Sequence, residues 1–318
     1  MFGIPDLKNL VRIQLKLQLI ILSLRSALRR LTTHLVIALV ALVVIGGATR
    51  VMEAGLACPD WPLCYGVLLP GRQMNLQVFL EWFHRLDAFL VGLALVVLLA
   101  LSFWKRQQLP VWLPWSSALA LGLVAFQGAL GALTVTGLLA PTTVTAHMAT
   151  ALVLLLLLSG LDQCLAEGSS APALPGWWLP LPWISAALVV AQCVLGAAMA
   201  SQWAVDHCFT SGDQCDWLLR HREMALPAGL SVLALTGSAL PAVRSDLLSR
   251  GLALSAAVLV GGQVALGILT LHSQLQQPSL TIAHQLVAAL LVAHLGALCG
   301  RSLLAWRPIS MTNEVTCG

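Results

Sequence analysis

The sequence predicts an all-α membrane protein whose eight transmembrane helices form two parallel four-helix-bundle repeats, with pseudo-twofold symmetry along the membrane normal. Three observations predict this fold: the apolar composition, eight long apolar segments, and a motif that recurs in both halves. Of the 318 residues, 58% are hydrophobic and 9% are charged, whereas a soluble domain carries about 25% charged residues. So few charges cannot cover a soluble surface, and lipid is therefore the predicted solvent.

Eight segments are long enough to supply the roughly 20 apolar residues that a spanning helix needs. Lipid favours helices for these segments, because they are too long and too uniformly apolar to be the strands of a barrel. The predicted spans are residues 32–52, 78–103, 113–134, 142–163, 178–201, 217–240, 250–271 and 280–304.

The segments outside the spans predict the topology. Residues 1–31 are basic and predict a cytoplasmic, interfacial helix, residues 164–177 predict a linker, and residues 305–318 predict a cytoplasmic tail. Most of the 17 Lys and Arg side chains then lie on the side of the two termini, which predicts that both termini are cytoplasmic in a multi-pass protein of the cell inner membrane. The basic residues sit beside apolar runs, so no nucleic-acid partner is predicted.

An internal repeat divides the spans into an N-terminal half, residues 32–163, and a C-terminal half, residues 178–304. Residues 127–134 (Gln-Gly-Ala-Leu-Gly-Ala-Leu-Thr) match residues 263–270 (Gln-Val-Ala-Leu-Gly-Ile-Leu-Thr) at six of eight positions. Each half has an even number of spans, so the two halves insert in the same direction as parallel repeats.

Each half also contains two histidines at matched positions. His84 and His147 are 63 residues apart, and so are His221 and His284. All four are predicted about 8–9 Å below the outer surface, where facing imidazoles of neighbouring helices suit the axial positions of a haem iron. Hydrogen bonding between helices is the alternative for any one of them, and zinc lacks a third ligand beside either pair. The remaining histidines are His34 and His294, predicted to be structural, and His207 and His272, predicted to lie at the outer surface.

An arginine follows the first histidine of each pair. At the outer rim of the membrane, Arg85 and Arg222 are each placed to hold a haem propionate through a bidentate, charge-assisted contact. The alternative is that each side chain simply extends to water at the membrane interface.

Glu81 breaks the likeness between the halves. It lies three residues before His84 and therefore on the same helical face, whereas the aligned residue of the second half is Leu218. A carboxylate inside a membrane is a functional-site hypothesis by default. The first half is therefore predicted to perform chemistry, and the second to hold a structural or electron-transfer haem. The alternative is that Glu81 is interfacial, in water or paired with Arg85.

Two cysteine pairs are predicted to close loops on the outer, oxidising side, where disulfides persist. Cys58 and Cys64 follow the first span, and Cys208 and Cys215 follow the fifth. Whether such a pair is a structural staple or is redox-active stays open at this point. The other cysteines are scattered and are assigned no role: Cys164, Cys193, Cys299 and Cys317.

Four short motifs resemble the haem A synthase family. They are residues 46–50 (Gly-Gly-Ala-Thr-Arg), residues 55–64 (Gly-Leu-Ala-Cys-Pro-Asp-Trp-Pro-Leu-Cys), residues 81–85 (Glu-Trp-Phe-His-Arg) and residues 145–147 (Thr-Ala-His). The resemblance extends over about residues 32–304. It does not extend to the basic N-terminal segment, and the second half carries a weaker motif at residues 221–225.

The resemblance implies an oxidoreductase that converts the C8 methyl of haem O to a formyl group, which gives the haem A of terminal oxidases. It implies that the first half binds the substrate haem through His84 and His147, with Glu81 taking part in the chemistry. It also implies that the second half binds a haem b cofactor through His221 and His284.

Two other functions compete with this interpretation. A diheme electron-transfer cytochrome b explains the four histidines, but it does not explain why only one half carries Glu81. A haem transporter built from parallel repeats predicts helices interrupted near the middle of the membrane. The expected partners are haem O, membrane lipid, and haem O synthase or terminal oxidase assembly proteins. A homo-oligomer is left open.

Overall fold

The structure is a computed structural model that describes residues 7–166, 174–201 and 216–306, with side chains described at residue 16 and from residue 18 onward. In these ranges the chain forms no β-strand, and eight of its helices are long and apolar enough to cross a membrane. The predicted linker is described only in part, and the predicted tail after residue 306 lies outside the described residues.

The helices follow the predicted spans closely. Seven of the eight begin and end within about three residues of the predicted bounds, so the all-helical, eight-span prediction is confirmed. The helices are α1 (Leu7–Val51), α2 (Leu76–Trp104), α3 (Trp112–Thr136), α4 (Pro141–Cys164), α5 (Leu181–Met199), α6 (Asp216–Ala242), α7 (Leu247–His272) and α8 (Pro278–Ala305).

The basic segment before the first predicted span continues into that span without a break. A single helix runs from Leu7 to Val51, and its apolar part begins at Gln18. Leu28, Leu35 and Leu39 all lie in the main hydrophobic core. They recur on one helical face, and no proline or glycine interrupts them. The turns around residue 28 therefore pack against the bundle, and the interfacial position of the turns before them stays a prediction.

Helices α4 and α8 cross at very short range. A Cβ atom on Gly300 would lie 2.3 Å from the carbonyl oxygen of Gly160, and one on Gly296 would lie 2.6 Å from that of Leu156. Gly296 and Gly300 thus form the small-residue pattern that allows membrane helices to approach backbone to backbone. Since α4 belongs to the predicted N-terminal half and α8 to the C-terminal half, this crossing joins the two.

The bundle has two chemically different ends. At one, called here the histidine end, α1, α3, α5 and α7 finish and the even-numbered helices begin. At the opposite end, Arg301 of α8 forms a buried ion pair, 2.6 Å long, with Asp246, the residue that caps α7. Which end faces the cytoplasm stays a prediction.

Candidate functional site

A large cavity opens among the described residues at the histidine end of the bundle. Its volume is about 2000 Å³, and its walls include all four predicted histidines: His84, His147, His221 and His284. Pockets that hold one drug-sized ligand measure about 300–1,000 Å³. The sequence predicted one site in each half, and the structure brings both histidine pairs onto one continuous space with room for more than one large ligand.

The first histidine pair faces across this cavity. His84 of α2 and His147 of α4 have ring centroids 6.4 Å apart, with their planes inclined by 65°. Two imidazoles bound at about 2 Å on opposite sides of one metal ion have centroids about 6 Å apart. The Nδ1 atom of each ring is buried and has no hydrogen-bond partner among the described residues. The spacing and the donor set therefore fit a haem iron between the rings.

Glycines on the odd-numbered helices make room for these rings. A Cβ atom on Gly46 of α1 would lie 2.9 Å from Cε1 of His84, and one on Gly131 of α3 would lie 3.6 Å from Cε1 of His147. A contact under 3 Å forces a ring to move. Gly46 is therefore required for the observed position of His84.

The second histidine pair has the same kind of surroundings. A Cβ atom on Gly196 of α5 would lie 2.8 Å from Cε1 of His221, and one on Gly267 of α7 would lie 3.2 Å from Cε1 of His284. These contacts repeat those of the first half. They are what the sequence repeat leads one to expect, while the pseudo-twofold axis itself stays a prediction.

Two glutamine side chains contact the second histidine pair. Nε2 of Gln192 donates to the backbone oxygen of His221 at 2.8 Å and lies 3.1 Å from its Nδ1. Nε2 of Gln263 lies 3.1 Å from Nε2 of His284. An iron bound to Nε2 of His284 would displace the amide group of Gln263. Gln192 is thus placed to fix the position of His221 through its backbone, whereas Gln263 contacts the nitrogen of His284 that an iron would take.

Glu81 is buried at the edge of the cavity, with a side chain that is only 5% exposed. Its Oε2 accepts a hydrogen bond of 2.7 Å from the backbone N–H of Cys58. Its Oε1 lies 2.5 Å from Nη2 of Arg85. The aligned Leu218 also lines the cavity. The predicted difference between the halves is therefore a difference within the cavity wall.

The loop between α1 and α2 covers the first pair. It contains the predicted disulfide between Cys58 and Cys64, whose Cα atoms are 4.8 Å apart. Nη1 of Arg85 donates to the carbonyl oxygens of Asp60, at 2.5 Å, and of Leu63. The loop is therefore fastened to the Glu81–Arg85 ion pair beneath it. The predicted Cys208–Cys215 pair and His207 lie outside the described residues.

Sequence reasoning missed several polar groups of the cavity wall. Gln127, Gln192, Gln263 and Gln285 each have a buried side-chain oxygen with no hydrogen-bond partner among the described residues. Gln127 and Gln263 open the repeated eight-residue motif, so the repeat itself was a signal that could have found them. Arg50 and Glu53 also line the cavity.

The remaining predicted residues have simple surroundings. Nδ1 of His34 contacts the oxygen of Arg30 at 2.6 Å, and Nδ1 of His294 contacts the oxygen of Leu290 at 2.7 Å. Both contacts lie within one helix, as expected for structural histidines. His272 lies at the histidine end and lines the cavity. Cys164, which was given no role, donates from its Sγ to the oxygen of Gly300 at 3.5 Å.

The fold and the cavity define a polytopic helical membrane protein with two histidine pairs on one internal space, a donor set suited to haem iron. Residues 29–295 match the COX15-CtaA family, described as cytochrome oxidase assembly protein. The chain belongs to this family.

Relatives of the chain carry a more specific name. A protein of Shewanella oneidensis named heme A synthase is 32% identical over 188 residues, which are 52% of this chain and 54% of the relative, so that match spans about half of each. Heme A synthase of Sphingopyxis alaskensis is 28% identical over 84% of this chain and 90% of the relative. That of Erythrobacter litoralis is 27% identical over 80% and 90%.

Proposed function

We propose that this protein is a haem A synthase, which oxidises the C8 methyl of haem O to a formyl group. Membership of the cytochrome oxidase assembly family and the name of the relatives support this activity. The observation that carries it is the asymmetry of the cavity: a buried carboxylate, Glu81, stands beside one histidine pair, and Leu218 occupies the aligned position beside the other.

In this proposal His84 and His147 bind the iron of the substrate haem from opposite sides. The 6.4 Å between their ring centroids supports this ligation. The imidazoles would then fix the plane of the macrocycle within the cavity, and contacts at its edge would set which part of the wall the reacting methyl meets. Holding a substrate in one orientation is itself a large part of catalysis.

Glu81 acts on the developing charge of the oxidised methyl. Both of its oxygens already accept hydrogen bonds, from Cys58 and from Arg85. Taking up a proton would leave the buried charge of Arg85 with carbonyl oxygens as partners but without its anion, which is costly. We therefore assign Glu81 the stabilisation of a cationic intermediate, through a fixed negative charge in a space of low dielectric, rather than the role of a proton acceptor.

His221 and His284 are proposed to hold a resident haem b. Bound there, this cofactor would supply a redox centre that exchanges electrons with the substrate site. The residues around it position the rings: Gly196 and Gly267 leave space for them, and Gln192 and Gln263 contact them. Arg222 lines the cavity and makes no hydrogen bond or ion pair with a described residue. It is free to bind a propionate.

The domains, topology and partners complete the proposal. Residues 32–163 carry the substrate site and residues 178–304 carry the haem b site. The histidine end faces the outer side of the cell inner membrane, and both termini are cytoplasmic. Haem O synthase and terminal oxidase assembly proteins are the proposed protein partners, since they supply haem O and use haem A.

Expression in cells that make haem O but not haem A tests the function. We expect haem A among the pigments extracted from cells with the wild-type chain, and none with His84→Ala, which serves as the matched control. A diheme cytochrome b or a haem transporter would yield no haem A, and that result would refute the proposal. The transporter also predicts interrupted helices, whereas α6 continues through Pro227 and Pro241.

A further inference from the structure

Arg50 is a charged side chain of the cavity wall that the proposed function leaves unused. It lies in the last turn of α1, is partly buried and lines the cavity. Its guanidinium makes no hydrogen bond or ion pair with any side chain or backbone atom of the described residues. A partly buried cation that lines a largely apolar cavity is costly unless an anion accompanies it. Such a position indicates an anionic ligand.

Arg50 lies on the face of α1 that meets the first histidine pair. Gly46, which lies against the ring of His84, is four residues earlier, and residues four apart share a helical face. Arg50 is thus about 6 Å further along the helix axis, toward the histidine end. Glu53 also lines the cavity, but it lies beyond the helix, is exposed, and makes no ion pair with Arg50.

The two halves differ in which arginine is available. In the first half the Nη atoms of Arg85 are occupied by Glu81 and by carbonyl oxygens of the loop. In the second half Leu218 stands in place of the glutamate, so Arg222 has no such partner. The residue four positions after Gly196, the counterpart of Gly46, is Ala200. Each half therefore has one cavity arginine without a described partner: Arg50 in the first and Arg222 in the second.

We propose that Arg50 binds a propionate carboxylate of the haem that His84 and His147 hold, and so takes over the role that Arg85 cannot fill while it is paired with Glu81. The inference rests on the proposed function for the identity of the ligand. It replaces Arg85 by Arg50 as the propionate-binding residue of the first half, and it leaves Arg222 with that role in the second.

Binding of two probes that differ only in the carboxylates tests this. The full chain, with His221→Ala and His284→Ala to remove the second site, is prepared free of haem and titrated with iron protoporphyrin IX or its dimethyl ester, and affinity is read from the absorption spectrum. Arg50→Gln removes the charge, and Arg50→Lys retains it. Arg72→Gln is the matched control, because Arg72 is exposed and lies off the cavity.

We expect Arg50→Gln to weaken binding of the free acid about tenfold or more, the usual effect of losing a charge-assisted hydrogen bond, and to leave binding of the diester unchanged. Arg50→Lys should restore part of the affinity, and Arg72→Gln should change neither. Equal weakening for both probes would overturn the inference, because Arg50 would then only shape the cavity. No weakening for either would overturn it too, since the anion would then be another group, such as a lipid phosphate. If the parent chain binds neither probe, the proposed function itself fails.

Discussion

The guanidinium of Arg85 joins the carboxylate of Glu81 to the loop that carries the Cys58–Cys64 disulfide. One of its nitrogens lies 2.5 Å from Oε1 of Glu81, and the other donates to the backbone oxygens of Asp60 and Leu63. The backbone N–H of Cys58 closes the arrangement by donating to the same carboxylate. The position of the proposed catalytic group therefore depends on the fold of the loop above it.

Replacing Glu81 by glutamine tests the role of its charge. Glu81→Gln keeps the shape and the hydrogen bond from Cys58, but it removes the negative charge and leaves Arg85 without its anion. We expect formation of haem A to fall by roughly 10²-fold or more, the usual effect of removing one group that stabilises a transition state, while the protein keeps its haem. The measurement is the haem A extracted per mole of purified protein.

The matched control for this charge is Glu223→Gln, because Glu223 is exposed on α6 and lies off the cavity. This control should yield haem A as the wild type does. A wild-type yield of haem A from Glu81→Gln would refute the catalytic role of Glu81. Glu81 would then serve only to anchor Arg85 and the loop.

A methyl group on Gly46 should disturb the first haem site without unfolding the helix. In Gly46→Ala the new Cβ would lie 2.9 Å from Cε1 of His84, so the ring must shift. We expect an altered absorption spectrum of the haem bound by the first pair and a lower haem content. Gly122→Ala is the control, since a Cβ there meets no atom within 4 Å. Identical spectra for the two variants would contradict the tight fit of His84 against α1.

Sequence patterns predicted the helices and the histidines because both depend on local composition and spacing. The apolar runs located the spans, and the interval of 63 residues paired the four imidazoles. The ion pair of Glu81 with Arg85 was predicted only as the alternative to a catalytic role for Glu81, although the two residues are four apart on one helix. The sequence could not rank this contact against a propionate, because the ranking depends on where the loop residues Asp60 and Leu63 lie.

The crossing of α4 and α8 should tolerate no side chain on the glycines that face each other. In Gly300→Ala the Cβ would lie 2.3 Å from the backbone oxygen of Gly160. Backbone cannot move aside as a side chain can, so we expect a loss of about 1–3 kcal/mol in the free energy of unfolding. Thermal unfolding in detergent measures it. Gly237→Ala, on an open face of α6, should be neutral or slightly stabilising. A neutral Gly300→Ala would contradict the close crossing.

The buried ion pair of Asp246 with Arg301 should make stability depend on pH. Burial alone would raise the pKa of the Asp246 carboxyl, but hydrogen bonds from Arg301 and Ser249 and the charge of Arg301 outweigh burial, so the pKa lies below its ordinary value of 3.8. A lowered pKa in the folded state contributes stability that is present above the ordinary value and is lost as the pH falls through the lowered one.

The comparison of wild type with Asp246→Asn measures that contribution. At neutral pH the variant leaves Arg301 buried without its anion, and we expect a cost of about 3 kcal/mol. The gap in melting temperature should stay constant down to about pH 4 and shrink below it. A difference in melting temperature that does not change with pH over this range would show that the charge of Asp246 does not stabilise the start of α7.

The sequence pattern could not predict long-range contacts such as the ion pair of Asp246 with Arg301. Arg301 is one of the basic residues on the side of the two termini, yet its charge is buried and neutralised by Asp246, 55 positions away. In α1 the sequence shows no proline or glycine between residue 7 and residue 31, but composition alone did not reveal that Leu28 packs in the main core, because its contacts are made with other helices. Contacts between distant segments decide such features, and composition does not contain them.

The identity of the haem lost from each histidine pair tests the central claim most directly. The wild type and the variants His84→Ala, His147→Ala, His221→Ala and His284→Ala are purified from cells that supply haem O, and their haems are extracted and identified by mass. We predict that the first two variants lose haem O and haem A and keep haem b, and that the last two lose haem b and keep haem O. Full retention of haem b in His221→Ala and His284→Ala, or loss of the same haem from both pairs, would contradict two unequal sites on one cavity.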